Sequence, residues 1–240
     1  MSALRFDGPG RKHSGVDLHS PRLDEFEDPG PADEPNDGDT PVATVELGDD
    51  SDLDSLDVRA VSLADAPVLH DIRLTRCRVS SVSLAASHLL GLELRDVCCS
   101  ATDAVGARWP EASMTRVEFH DCRLSGIDLA QATLRHVRFS GCRLDAANLR
   151  MVDADHVRFD DCDMRDTDLG MARLRSVTFS GSRLDAVEFS NARCQSVDLR
   201  GALVVSVRGV AGLRGATIGS DQVIPLAPAV YADLGITVAD

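Results

Sequence analysis

Apolar and charged residues are distributed along this chain with a period of five. Counting from Leu74, every fifth residue to Leu199 is uncharged, in a chain that is 27% Asp, Glu, Lys and Arg. Large apolar side chains dominate this series, as in Leu124, Leu129, Leu134, Phe139, Leu144 and Leu149. A second column of smaller residues lies two positions earlier and runs from Ala112 to Val197, including Val117, Cys122, Ile127, Ala132, Val137 and Cys142. Most of the Arg, Asp, His and Asn residues fall between and after these columns. Five is the period of neither an α-helix nor a sustained strand. Within each five, however, the two apolar positions flank an outward one, which is the alternation of a very short strand. The other two residues must then turn the chain. Four such corners close a square, so the chain stacks on itself after every fourth repeat of five.

The segments HVRFSGCRLD at His136, HVRFDDCDMR at His156 and SVTFSGSRLD at Ser176 recur at that constant interval and show the coil directly. The period predicts an all-β solenoid of about eight coils. At ~4.8 Å between paired strands, these make a rod ~40 Å long. Earlier rungs keep the period in another phase, with Leu53, Val58 and Leu63 inward and Ser51, Leu56 and Val61 two residues before them. The phase changes at LADAPVL, which places a one-residue bulge at 64–68 around Pro67. After Val204 the pattern re-enters one residue early, with Leu213 and Ile218 inward, preceded by Ala211 and Ala216.

The A(D/N)Lxx pattern, seen here in GIDLAQATLRHVRF, AANLRM, DTDLGM and SVDLRGA, resembles the pentapeptide-repeat family over about residues 51–219. The resemblance implies a right-handed quadrilateral β-helix. Some members of that family mimic DNA and bind a type II topoisomerase, DNA gyrase. The C-terminal GATIGSDQVIPLAPAVYADLGITV also resembles that of a gyrase-inhibiting member that dimerises through a C-terminal helical segment.

Three regions follow: an arm over 1–45, the β-helix over 46–219 and a cap over 220–240. The arm holds six of the ten prolines and reads DEFEDPGPADEPNDGDT, too polar to offset the entropy of ordering it, and is expected to be disordered. The open end of a solenoid exposes apolar side chains and unpaired backbone, so it needs covering. In the cap, Ser220 or Asp221 is expected to start a helix. Pro225 fits a first turn, and Pro228 is expected to break the helix. Val223, Ile224, Leu226, Val230, Tyr231 and Leu234 offer more apolar surface than one small coil can cover, which predicts a homodimer through the cap.

The net charge of −14 is unevenly placed. Residues 1–50 carry 13 acids and 4 bases, whereas residues 51–219 carry 23 acids and 21 bases. Aromatic content is only 4%, so the core must be narrow and built from Leu, Val, Ala and Cys. There are seven cysteines, the opening MSALRFDGPG has no signal-like apolar run, and no stretch is long enough to span a membrane. These features point to a cytoplasmic protein with reduced thiols.

Candidate chemistry is sparse. Cys122, Cys142 and Cys162 stack in parallel along one wall, whereas a zinc site needs converging ligands, so they read as a core ladder. Phe119, Phe139, Phe159 and Phe179 form a second core ladder. In the CCS stretch, one of Cys98 and Cys99 points in and the other out, and Cys98 is expected outside. His136 and His156 stack on an outer corner near Arg116, while His120 and Asp121 lie elsewhere without a nucleophile. Asp128, Asn148, Asp168 and Glu188 form a partly acidic ladder. Arg135, Asp155 and Arg175 alternate in sign, and Arg123, Arg143, Asp163 and Arg183 mix signs. No phosphate loop, metal motif, cofactor motif or nucleic-acid-binding basic stripe is present.

The expectation is a non-enzymatic scaffold or protein-interaction module of unknown partner, without catalytic, cofactor or metal residues and without a nucleic-acid or membrane partner. The alternative from the resemblance is a DNA mimic that binds gyrase, which would need many uncompensated acids along its length. A β-helical enzyme would need a cleft of convergent carboxylates.

Overall fold

The computed structural model describes residues 42–63 and 68–238. Its backbone is a parallel β-solenoid. Strand Thr133–Ser140 pairs in parallel with Ser113–His120 on one side and Asp153–Asp160 on the other, so that Leu134 lies between Met114 and Ala154. Each coil donates amides to both neighbours: Leu129 to the Asn148 carbonyl at 2.9 Å, and Asp128 to that of Ala107 at 2.9 Å.

The five-residue columns face inward as the pattern requires. From Leu74 to Leu199 every member of the large column is buried except Leu84 and Cys194, which are half-buried. Every member of the small column from Ile72 to Val197 is buried. Rings stack face to face up the rod, with centroids 4.9 Å apart for Phe119 and Phe139, 5.1 Å for Phe139 and Phe159, and 5.2 Å for Phe159 and Phe179. Toward the N-terminus this column continues as Cys99 and Val79, and these smaller side chains border an apolar cavity. Some buried polar side chains are satisfied across coils: Trp109 donates to Ser87 at 2.9 Å and Thr167 to the Leu144 carbonyl at 2.8 Å.

The corners explain the rest of the repeat. Every fifth residue from Asp71 to Gly201, the second of each corner pair, has a left-handed φ, between 49° and 78°. Most of these are not glycine. None is β-branched and none is proline, the residues for which this conformation is least accessible. The outward Asp or Asn of the repeat braces the corner. Asp128 accepts from the Ala130 amide at 3.0 Å, Asn148 from Arg150 at 3.2 Å and Asp168 from Gly170 at 2.8 Å. The hydrogen bond stabilises the turn and costs nothing in the core, which accounts for a small polar acceptor at that place.

Both ends depart from the regular coil. Leu53 pairs with Leu74 and Val58 with Val79, one place beyond the regular interval, whereas Leu69 pairs with Leu89 in step with it. One extra residue therefore sits between Val58 and Leu69. Its expected place at 64–68 falls largely on residues 64–67, outside the described ones. Strand Val42–Leu47 stacks in parallel on Asp57–Leu63 and buries Leu47. Residues 42–45 thus belong to a capping strand and not to the arm, because Val45 and Leu47 alternate toward the core. The remaining arm, 1–41, lies outside the described residues.

At the other end Asp198 bridges to Thr217, one place short of the regular interval, so the re-entry is early as expected. Leu213 is buried, but Ile218 is 40% exposed and Ala211 is exposed. Ala211 lies in a 3-10 turn at Val210–Leu213 that buries Leu213 and leaves Ala211 outside. The helix is Val223–Asp233 and runs through Pro228 without breaking. Only the bond to the Ile224 carbonyl is forgone there, and both residues are exposed to water. Neither Ser220 nor Asp221 caps the helix. Gln222, 1% exposed, closes the rod instead: its amide donates to the Leu199 carbonyl at 2.6 Å and the Ala202 carbonyl at 2.7 Å, and its oxygen accepts from Gly219 at 2.9 Å. Those carbonyls belong to the last coils, where they also accept the amides of Ala202 and Val204 at 3.0 Å and 3.2 Å.

Candidate interaction surfaces

The outward positions give the rod four walls, and their charges are largely paired. Asp153 is held by Arg135 at 2.8 Å and Arg175 at 3.0 Å. Asp160 meets Arg138 at 2.8 Å and Arg158 at 3.5 Å. In the partly acidic ladder, Arg150 bridges to Asp168 at 3.1 Å and Arg208 to Glu188 at 3.2 Å, while Asn148 donates to Asp128 at 2.8 Å. The hydrogen bond from Arg135, with help from Arg175, holds the Asp153 carboxyl below its ordinary range. Likewise the Arg183 guanidinium and the Ser206 hydroxyl lower Asp185.

The thiol ladder is structural. Cys142 lies 3.3 Å from the Phe119 carbonyl and Cys162 3.4 Å from that of Phe139, each donating to the coil before, and Ser182 continues the series to Phe159 at 2.9 Å. Burial pushes the Cys99 thiol well up and that of Cys194 up to about 11, so neither is poised as a nucleophile. His136 and His156 do stack, 4.9 Å between rings, and His156 shares a hydrogen bond of 2.8 Å with Asp155. Arg116, at the same corner one coil earlier, pairs with Asp96 at 2.7 Å. His120 turns to Glu118, 2.8 Å away, and not to Asp121.

One grouping was not anticipated from the cysteine ladder. The side chains of Cys98, Glu118 and His120 bring a sulfur, a carboxylate oxygen and an imidazole nitrogen within 4.8 Å of one another. The sequence held the signal: 98 and 118 share an outward column, and 120 lies two residues along the same strand.

The cap carries the exposed apolar surface. Val223, Ile224, Tyr231 and Leu234 are 55%, 82%, 41% and 67% exposed, and Val230 is 38% exposed. Ile236 and Val238 extend the patch. Leu226 differs from the expectation: it is only 5% exposed, packed against the last coil, and cannot take part in a contact with another molecule. A groove lined by Leu213, Ile218, Val223 and Val230 runs between the last coil and the helix. Asp233 pins the helix end by accepting from the Ala211 amide at 2.8 Å. Among the described residues no helix is long and apolar enough to cross a membrane.

Comparison with known families gives matches to the pentapeptide repeat region over residues 112–189 and to pentapeptide repeats in eight copies over residues 93–129. The repeats of this chain are pentapeptide repeats, and the protein is a pentapeptide-repeat solenoid. No curated protein matches it. Solved structures that resemble it include trypsin-treated QnrB1, a plasmid-mediated fluoroquinolone resistance protein. That chain is 19% identical, with a TM-score of 0.48 over 83% of this chain and 98% of QnrB1. HetL of the cyanobacterium Nostoc sp. strain PCC 7120, involved in heterocyst differentiation regulation, is 21% identical with a TM-score of 0.30 over 58% of this chain and 74% of its own. Rfr23 from the cyanobacterium Cyanothece 51142 is 22% identical with a TM-score of 0.28, covering 40% and 58%.

Proposed function

We propose that the chain is a non-enzymatic scaffold that works by binding protein, and that it assembles as a homodimer through its C-terminal cap. The observation that carries this reading is the contrast between the walls and the end. The walls are lined by charges largely paired within the chain, which leaves them little net attraction for another molecule. The cap gathers Ile224, Tyr231, Leu234, Ile236 and Val238 in one exposed apolar patch at a terminus. Contiguous apolar surface of this kind is characteristic of protein interfaces. A terminal patch meeting its own copy forms an isologous contact that closes at two chains and does not grow into fibres. The wall pairing also weighs against mimicry of DNA, whose backbone carries one charge per ~1.7 Å with no internal cations.

Light scattering tests the assembly. The intact chain at micromolar concentration is expected at twice 25.7 kDa, and Tyr231→Asp, which sets a charge in the patch, at 25.7 kDa. An intact chain that stays monomeric refutes the cap dimer.

A further inference from the structure

On the wall formed by strands Glu93–Ser100 and Ser113–His120, alternation sends Val97, Cys99, Val117 and Phe119 into the core. It sends Cys98, Glu118 and His120 outward. Register then sets Cys98 directly beside Glu118 on the next coil, and Ser100 beside His120. Two neighbouring rungs and two outward places on one strand thereby deliver three different ligand types to one spot. All three ligand atoms lie within 4.8 Å of one another, and His120 Nε2 and Glu118 Oε2 are already 2.8 Å apart. We propose that Cys98, Glu118 and His120 bind a divalent zinc ion, with the fourth coordination position open to solvent.

The geometry suits that ion. Zinc binds sulfur at ~2.3 Å, imidazole at ~2.0 Å and carboxylate at ~2.1 Å, and a tetrahedral arrangement sets such atoms ~3.3–3.6 Å apart. Reaching it from the observed cluster takes rotation of side chains that face solvent and no movement of the β-ladder. His120 and Glu118 side chains are 35% and 20% exposed, enough to admit an ion while shielding it from bulk water. A thiolate and an imidazole together select zinc or a softer ion over magnesium or calcium, which prefer all-oxygen sites. The ion takes the place of the hydrogen bond between His120 and Glu118. Arg78 precedes Cys98 in the column. Arg138 follows Glu118, but its guanidinium is turned to Asp160 at 2.8 Å. A bound ion would tie two consecutive coils together from the outside, a constraint the hydrogen-bonded ladder alone does not supply.

Cobalt titration of the reduced, metal-free full chain reads the site directly. One equivalent is expected to give a thiolate-to-cobalt charge-transfer band with the intense visible bands of tetrahedral coordination, bleached by one equivalent of zinc. Cys98→Ser removes the charge-transfer band. His120→Ala weakens cobalt binding by at least about 10-fold. Cys194→Ser, which alters the other half-buried thiol, leaves both unchanged. Cys98 and His120 occupy outward positions and Cys194 is a half-buried member of the inward column, and circular dichroism checks that each variant is folded. Zinc should also raise the urea midpoint of the intact chain but not of Cys98→Ser. The proposal is overturned by the absence of a charge-transfer band in the intact chain, by a band that survives Cys98→Ser, or by an affinity untouched in His120→Ala.

Discussion

Replacing Phe159 with alanine perturbs the centre of the ring stack. Phe159 is 2% exposed and lies between Phe139 and Phe179, 5.1 Å and 5.2 Å away. Truncating a buried Phe costs about 3–5 kcal/mol through lost burial and the void left behind. The void cannot collapse easily, since the backbone on both sides is held by coil-to-coil hydrogen bonds. A solenoid has only neighbour interfaces, so the loss weakens the coils on either side and is not shared across a larger core. The control is Arg158→Ala, one residue away and outward, with a side chain 32% exposed and a pair to Asp160 at 3.5 Å. That change should cost about 0–1 kcal/mol. Phe119→Ala gives a graded comparison: its column neighbour on one side is Cys99 and not a ring, so it loses one stacking contact where Phe159 loses two. Each contact is worth about 0.5–1.5 kcal/mol. Urea unfolding followed by circular dichroism measures all three, with hydrogen exchange to locate the weakened coils. Equal destabilisation by Phe159→Ala and Arg158→Ala would refute the inward assignment of the five-residue column.

Gln222→Leu should destabilise the C-terminal end by about 1 kcal/mol, since it removes the buried side-chain bonds to the Leu199 and Ala202 carbonyls and leaves them only the amides of Ala202 and Val204, and hydrogen exchange should rise first in the last two coils. Gly126→Ala isolates the corner conformation: φ there is 67° and an added Cβ meets nothing within 4 Å, so the expected loss of about 1 kcal/mol in thermal unfolding comes from the backbone alone. Because the substitution also lowers the entropy of the unfolded chain by about 0.4–1 kcal/mol, a net gain in stability is the result that would contradict a left-handed corner. Asp153 has its folded pKa below the unfolded value near ~3.9, so its stabilisation is complete above that pH and is lost as pH falls through the folded value. Asp153→Asn should therefore flatten the acid limb of the stability curve, by no more than about 1 kcal/mol for so exposed a group; an unchanged limb would contradict the pairing with Arg135 and Arg175.

The coil was legible because its signal is repeated and local. Inward and outward places follow from one phase, and the change of phase reported the extra residue in the first coil and the early re-entry before Thr217. The left-handed corners were legible too, in the absence of β-branched residues and proline at every fifth place from Asp71, but they needed the backbone to give that absence a meaning. The ends were legible only in part: the short C-terminal helix followed from the sequence, but not the details of how either end is closed. Gln222 has no pattern to belong to: its role depends on which carbonyls of the last coils lie within reach of its side chain. Strand Val42–Leu47 follows an acidic, proline-rich stretch, and its pairing of Val42 with Asp57 falls short of the regular interval of the coils. Pro228 was expected to stop a helix that tolerates it, since the carbonyl it leaves unbonded belongs to an exposed residue. Leu226 read as surface because apolar spacing on a short helix does not say which side meets the rod. The Cys98, Glu118 and His120 group emerges only from the strand register, which sets residues of two coils side by side.

The native thiols provide the most direct test of the inward and outward assignment on which the account rests. Cys77, Cys99, Cys122, Cys142 and Cys162 are buried, while Cys98 and Cys194 are half-buried. Folded, reduced protein in the presence of a chelator should be treated with iodoacetamide and each site followed by peptide mass spectrometry. Cys98 should be labelled first and Cys194 more slowly, with the five others reacting only when urea unfolds the chain. Labelling of Cys122, Cys142 or Cys162 in the folded protein as fast as Cys98 would contradict the stacked coil itself.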